Sequence, residues 1–513
     1  MIIDIIKSAY NMKPCKFNKF GSILILILQV IPIMGQVQEI QVSIDAGQVI
    51  HRMKGGIGAS WHSLSKDIPL ENEKYDYPVR LINPRGSAYG GNPPVSDTAA
   101  WNQVFYHARW LGLSFIRVEL SQHMYEPERN AFDWNNEEMQ ALFRILDWCE
   151  ANHADVFLQQ MWGHVAWNAY PGVHPLLSAP RSLEDFAEGI ATLLQYLTVT
   201  RNYSCIKYFC ITNEPPGGPW GYWWSYGMGS GSVTDAWKKV RETLDARGIK
   251  IPLSGPDWTS LPPFEAKKID FDEYIGAYDI HSYGGIDNAG EIIIADWVNW
   301  AHSRNKPFFL SEFGNMYLGW GGSNPGPKSF AAALSNAMDV VCCINLGADA
   351  FNRWSFTNRG DLDGQWQLIR TWDIEKKEYV KTITPEPEAY YGFAMLTRFM
   401  GKYPDVLFWQ TDRCISGVKL TALRNSDKSL SVIFVNAEKK PVSVTLSFDN
   451  LDPLNAMSLY QVTEEIINVP DFQLNPRKIS INKKKTLTIE LVPESISVLT
   501  SLDLKQTDSG MIE

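Results

Sequence analysis

The sequence predicts an α/β fold, a (β/α)8 TIM barrel followed by a C-terminal antiparallel β-sandwich. Three observations predict it. Between about residues 97 and 395, short apolar strands alternate with amphipathic helical stretches. After Trp409 the apolar spacing changes to strict alternation. All 19 tryptophans of the 513 residues lie between Trp61 and Trp409, so one domain holds every indole and a second of different composition follows it.

The first strand is expected over 55–59. A helix at 98–112 then leads to the strand 115–119, a helix at 137–152 to 156–160, and a helix at 183–198 to 206–211. The helix 233–247, opening after Ser232, leads to the strand 251–254, and a strand follows at 278–281. Helix 291–303 precedes strand 307–310, helix 330–346 precedes strand 350–354, and helix 387–400 closes the series. Eight strands alternating with helices over about 340 residues is the plan of a closed barrel. Strands at 415–418, 430–435, 442–448, 459–462 and 486–492, separated by turn residues such as Asn425, Ser426 and Asp427, make the sandwich. The alternating stretch 39–50 is expected to join it. The resulting division is a signal peptide at 1–35, an N-terminal strand within 36–54, the barrel at 55–400, the sandwich at 401–502 and a polar tail at 503–513.

Composition narrows the class. Apolar residues make up 45% and charged residues 20%, which excludes wholesale disorder. The net charge of −10 argues against nucleic acid as a partner. Lys13, Lys16 and Lys19 approach an apolar run, 23–34, that ends at Gly35. This is the pattern of a signal peptide, and the run is too short to span a bilayer. The mature chain is therefore expected to be exported, periplasmic or extracellular, with no integral membrane segment. The six cysteines beyond the signal have no metal-ligand spacing, and several sit in apolar runs as small buried hydrophobes. His51, His62, His107, His123, His153, His174 and His302 also lack metal spacing and are expected to be surface or satisfied residues. Asp361–Leu362–Asp363–Gly364 has the start of a calcium loop without its later ligands.

The chemistry is expected where barrel strands end. Strand four ends in Thr212–Asn213–Glu214–Pro215 and strand seven in Ser311–Glu312–Phe313–Gly314. Two carboxylates across a sugar-sized cleft are what glycosidic hydrolysis needs: one protonates the leaving oxygen, and the other attacks or activates water. Five rings in the Gly-rich loop after Glu214 (Trp220, Tyr222, Trp223, Trp224 and Tyr226) follow no helical or strand period and suit a sugar-stacking lid. Trp162, His164 and Trp167 follow strand three, and Asp257 and Trp258 follow strand five; these line the cleft or simply pack. Trp101, Trp110, Trp148, Trp237, Trp297 and Trp300 fall on helices and are expected in the outer core.

With Asn213–Glu214–Pro215 after strand four and Glu312 after strand seven, the chain resembles glycoside hydrolase clan A, the retaining (β/α)8 enzymes, over residues 55 to 400. The appended sandwich is similar to families 30 and 39 of that clan, and the stretch 48–61 to the opening of family 30. The resemblance implies Glu214 as acid/base and Glu312 as nucleophile. It also implies Arg117 beside the nucleophile, His281 or Tyr283 touching it, and Trp354 as floor of the subsite for the reacting sugar. On this reading Glu312 is kept ionised by Arg117 and the Tyr283 hydroxyl, Glu214 is protonated, and Asn213 donates to the sugar 2-hydroxyl. No cofactor is implied, and the partner is an oligosaccharide or polysaccharide substrate. The alternative is a non-catalytic carbohydrate-binding protein on the same fold.

Overall fold

The computed structural model describes residues 38–63, 91–162, 165–172, 178–215, 233–259, 272–315, 326–357, 366–373, 375–376 and 378–512. The expected signal segment, the aromatic loop after Glu214 and the 361–364 motif lie outside the described residues.

The barrel closes through a divided first strand. β2 (Ile57–Ala59) pairs with β10 (Ala350–Arg353), and β3 (Trp61–His62) pairs with β4 (Phe115–Ser121). Only Ser60 separates the two halves. Around the ring β5 (Asp155–Trp162), β6 (Ile206–Cys210), β7 (Leu253–Trp258), β8 (Ala277–Ser282) and β9 (Phe308–Phe313) follow in order, all parallel. Gly58 permits the tight start: a Cβ there would lie 1.8 Å from the Phe115 carbonyl oxygen. The barrel floor is apolar, filled by Phe115, Phe157, Cys210, Ala277, Phe309 and Ala350.

The helices bury one face each against this sheet. α1 (Thr98–Leu111) starts where the Asp97 side chain accepts from the Ala100 backbone, and it ends at Gly112 in left-handed conformation. Trp101, Trp110, Trp148, Trp237 and Trp297 are buried on helices, as expected, and Trp300 is half-buried under the Arg304 guanidinium. The cysteines among the described residues are free thiols, five of them buried.

The second domain is one nine-stranded sheet of order β18 (Arg477–Ser480), β17 (Ala456–Val462), β20 (Ser495–Thr500), β15 (Leu430–Asn436), β14 (Val418–Arg424), β13, β1, β16 and β19 (Thr486–Leu491). β1 (Gln38–Arg52) enters it as the sequence suggests, between β13 (Asp405–Thr411) and β16 (Val442–Asp449). The sheet departs from expectation in one pairing, because β1 runs parallel to β16. Residues 415–417, expected to begin a strand, form a turn before β14 (Val418–Arg424). The alternating residues of β1 and β16 bury Ile40, Val42, Ile44, Val444 and Leu446 with Phe434 and Leu459 in a separate apolar core. The other face, through Ile433, Val435, Ile496 and Val498, is continuous with the barrel's own core. The last residues, read as a polar tail, lie against the barrel: Trp110 Nε1 donates to the Gln506 carbonyl at 2.6 Å, and Arg398 Nη2 to that of Lys505 at 3.1 Å. A short hairpin, β11 (Ile369–Asp373) with β12 (Glu378–Pro385), is inserted before the last barrel helix.

Candidate active site

Side chains alternate along a strand, so Phe115, Arg117 and Glu119 of β4 share its inward face. Phe115 belongs to the floor, and the other two stand above it toward the C-terminal end. The same alternation stacks Ala277, Asp279 and His281 on β8. Between floor and mouth is a polar layer in which Ser254 and Ser311 donate to the two oxygens of Asp279 at 2.6 and 2.7 Å.

Three acidic residues reach the mouth through irregular backbone. Ile280 pairs with Leu310 but His281 with Glu312, which makes Ser311 an extra residue in β9. Such a bulge re-aims the side chains beyond it, here Glu312. Asp257 is likewise extra in β7 and has φ 57°, and Glu214, just past β6, has φ 48°. Left-handed backbone at non-glycine residues costs on the order of 1–3 kcal/mol and gathers at functional sites. The two strained residues hold each other, the Glu214 backbone N–H donating to Asp257 Oδ2 at 3.1 Å.

His281 lies at the centre, fully buried. Its Nδ1 is 2.7 Å from Glu214 Oε1 and 3.1 Å from Glu312 Oε2, and its Nε2 is 2.9 Å from Asp257 Oδ1. An oxygen of each glutamate and a His281 nitrogen all lie within 4.8 Å of one another. Arg117 Nη1 is 3.0 Å from Glu312 Oε2, and the Tyr283 hydroxyl donates to Glu312 Oε1. Arg117 Nη2 donates to Asn213 Oδ1 at 2.8 Å, and Gln159 Nε2 approaches the same oxygen at 3.3 Å. With Oδ1 so engaged, Asn213 has its Nδ2 donor for a ligand. Trp354 sits on this network, its ring 4.9 Å from the His62 ring and 5.7 Å from the Arg117 guanidinium.

The electrostatics differ from the sequence expectation. Burial pushes the Glu312 carboxyl up to about 7, although His281 and Arg117 pull it down. Burial acts the same way on Glu214, but there the hydrogen bond and charge of His281 outweigh it and hold the carboxyl below its ordinary range. His281 is raised well above the imidazole range: burial opposes its charge, and Glu312, Asp257 and Glu214 overcome that opposition. The surroundings thus favour the charged form of Glu214 and the neutral form of Glu312. The physical reason is position, since the Nδ1 proton of His281 is nearer Glu214, while Arg117 divides its charge between Glu312 and Glu119.

Arg117, Asn213, Glu214, His281, Tyr283, Glu312 and Trp354 are thus brought together. The backbone of Trp162 ends β5, but its side chain, like Trp220, Trp223 and Trp224, lies outside the described residues. Trp167 packs on the rim, donating to the Glu126 carbonyl at 3.2 Å. Sequence reasoning missed Gln159 and Glu119, left Asp257 undecided and set His62 aside. His62 is buried, paired to Glu119 through Nδ1 and edge-on to Trp354. The inward alternation on β4 and β5 is the signal that points to Glu119 and Gln159.

The fold has counterparts among solved structures. A family 30 subfamily 8 xylanase from Clostridium acetobutylicum is similar in fold, with TM-score 0.58 and 14% identity over 90% of this chain and 99% of that one. An endo-β1,6-glucanase gives TM-score 0.60 and 14% identity over 90% and 94%. An α-L-arabinofuranosidase from Thermotoga maritima gives 0.59 and 13% over 91% and 100%. At such identities the likeness is one of fold alone. No curated protein matches the sequence. The profile of the cellulase family, glycosyl hydrolase family 5, matches residues 75–346, more than half of the chain, and the protein belongs to that family.

Proposed function

We propose that this glycoside hydrolase cleaves β-glycosidic bonds of an oligo- or polysaccharide with retention of configuration, with Glu312 as nucleophile and Glu214 as acid/base. The observation that carries the reading is the closeness of the two carboxylates, whose oxygens lie within 4.8 Å across His281. Retaining enzymes hold their carboxyl groups about 5–5.5 Å apart, and inverting enzymes about 6.5–9.5 Å, to leave room for a water.

Once Glu312 has released its proton to solvent, as it does above about pH 7, one proton shift gives the working arrangement. Glu214 as carboxylate and His281 as imidazolium are joined by the 2.7 Å Nδ1–Oε1 contact. When the proton moves from Nδ1 to Oε1, Glu214 becomes the acid and His281 turns neutral, its remaining N–H still on Asp257 Oδ1. Glu312, ionised against Arg117 and Tyr283, attacks the anomeric carbon while Glu214 protonates the departing oxygen. In the second step Glu214 takes a proton from water, and that water attacks the same carbon and releases Glu312. Asn213 Nδ2 donates to the sugar 2-hydroxyl, a bond that tightens as positive charge develops on the ring.

Substitution separates the roles. Glu312→Gln is expected to abolish turnover of every aryl β-glycoside. Glu214→Ala is expected to cost about 10²–10⁴-fold on glycosides with poor leaving groups and little on activated ones, which need no proton. Equal loss on both classes would reverse the assignment of Glu214. A panel that stays colourless with the unaltered enzyme while sugar still binds would favour the non-catalytic alternative. The one tryptophan of the sandwich, Trp409 on β13, packs partly buried against the sandwich's own core, and the sandwich shares a continuous core with the barrel, which supports a buttressing role for it.

A further inference from the structure

We infer that His51, His302 and Asp349 form a binding site for one divalent first-row metal ion, Zn²⁺ by the chemistry of the donors, on the face of the barrel opposite the catalytic mouth. The three residues come from separate elements. His51 is near the end of β1, and His302 is in the last turn of α6 (Asn288–Ser303). Asp349 immediately precedes β10. Their distance in sequence hides them from any spacing motif.

The geometry is that of a convergent ligand set. His51 Nε2 lies 3.2 Å from Asp349 Oδ1, His302 Nε2 lies 2.8 Å from Asp349 Oδ2, and one donor atom from each residue falls within 4.8 Å of the others. Around a tetrahedral ion with bonds of about 2.0–2.1 Å, neighbouring ligand atoms sit about 3.3 Å apart, so small side-chain shifts suffice. The two imidazoles are already nearly parallel, with centroids 5.2 Å apart and planes inclined by 26°. Asp349 is buried, and its carboxylate is oriented from behind by the backbone N–H groups of Lys54 (3.1 Å) and Phe308 (3.0 Å). Carboxylate ligands characteristically have such outer partners. The site lies just beneath the surface, with the His51 and His302 side chains 18% and 35% exposed.

The competing explanation is a plain clasp in which both imidazoles donate to Asp349. It accounts well for His302, whereas His51 Nε2 meets Asp349 Oδ1 at 3.2 Å with poorer hydrogen-bond geometry. As metal ligands, both rings carry their proton on Nδ1 and turn the Nε2 lone pair to the ion, with water completing the coordination. Two imidazoles and one carboxylate suit Zn²⁺ and its neighbours rather than Mg²⁺ or Ca²⁺. The bound ion would join the end of a sandwich strand to the barrel at the face where packing serves stability rather than chemistry.

The test must separate this site from Glu214, His281 and Glu312, which also present nitrogen and carboxylate donors within 4.8 Å. Chelator-stripped full-length enzyme is titrated with Zn²⁺ while bound metal, thermal midpoint and turnover are recorded, alongside His51→Gln and His302→Gln. The expected result is one equivalent bound by the unaltered enzyme with a raised midpoint and unchanged turnover, and loss of that equivalent in each variant. Inhibition at higher Zn²⁺, from the catalytic cluster, should be the same in all three. Equal zinc content in the variants and the unaltered enzyme overturns the inference. So does an unaltered enzyme whose midpoint ignores Zn²⁺, a readout that stands even if a variant fails to fold.

Discussion

Asp257→Asn removes one negative charge from behind His281 and keeps the shape of the side chain. The amide oxygen can still accept from His281 Nε2, which lies 2.9 Å from Asp257 Oδ1, so the imidazole stays in place while its cationic form loses support. A hydrogen bond to a charged group contributes about 1.5–3 kcal/mol, and at about 1.36 kcal/mol per unit this lowers the His281 pKa by about 1–2 units. The proton shared by His281 and Glu214 is then lost at lower pH. In a kcat/KM profile measured on an aryl glycoside with a poor leaving group, the alkaline limb should move acidward by about 1–2 units. The acid limb, governed by Glu312 near 7, should stay. With an activated leaving group no acid is needed, and the alkaline shift should vanish. A variant that loses rate evenly at all pH, with neither limb moved, would refute the proton store and leave Asp257 as a spacer only.

Other substitutions probe other parts of the site and fold. Gly314→Ala places a Cβ 2.6 Å from Trp366 and 3.0 Å from Tyr283; displacing the Tyr283 hydroxyl from Glu312 should lower kcat more than it changes KM, whereas an unaltered kcat would show that the ring can yield. Asp339 is half-buried, and the enclosure of its carboxyl pushes it up to about 7. The folded state then binds more protons than the unfolded state, so stability falls as pH rises from the ordinary carboxylate range through 7. Asp339→Asn, which keeps an acceptor for the Ile286 N–H now 2.9 Å away, should raise the thermal midpoint at pH 8 and change it little at pH 4, and an equal effect at both would contradict the stated cause.

Much of this was legible in the residues because barrel chemistry sits at strand ends. Asn213, Glu214, His281, Tyr283, Glu312 and Trp354 lie at or just past such ends, Arg117 stands on the inward face of β4, and the structure gathers all seven around one cluster. What hid was set by backbone irregularity. Strand seven reads as ending at Leu310 because Ser311 and Glu312 are polar, yet β9 runs to Phe313 through a bulge. Asp257 is placed by an extra residue in left-handed conformation that no alternation pattern reveals. β20 (Ser495–Thr500) is buried along its whole length, serines included, so period two is absent from it. The opposite displacements of the two carboxyl groups were not legible at all, since they depend on burial and on how closely each approaches His281 and Arg117.

The central claim is double displacement at Glu312, and the anomer first released tests it most directly. Proton NMR of a β-glycoside digest, recorded before mutarotation, should show the β-anomer of the new reducing end appearing first. Initial release of the α-anomer would mean inversion, and would contradict both the nucleophilic role of Glu312 and the inference drawn from the closeness of its carboxylate to Glu214.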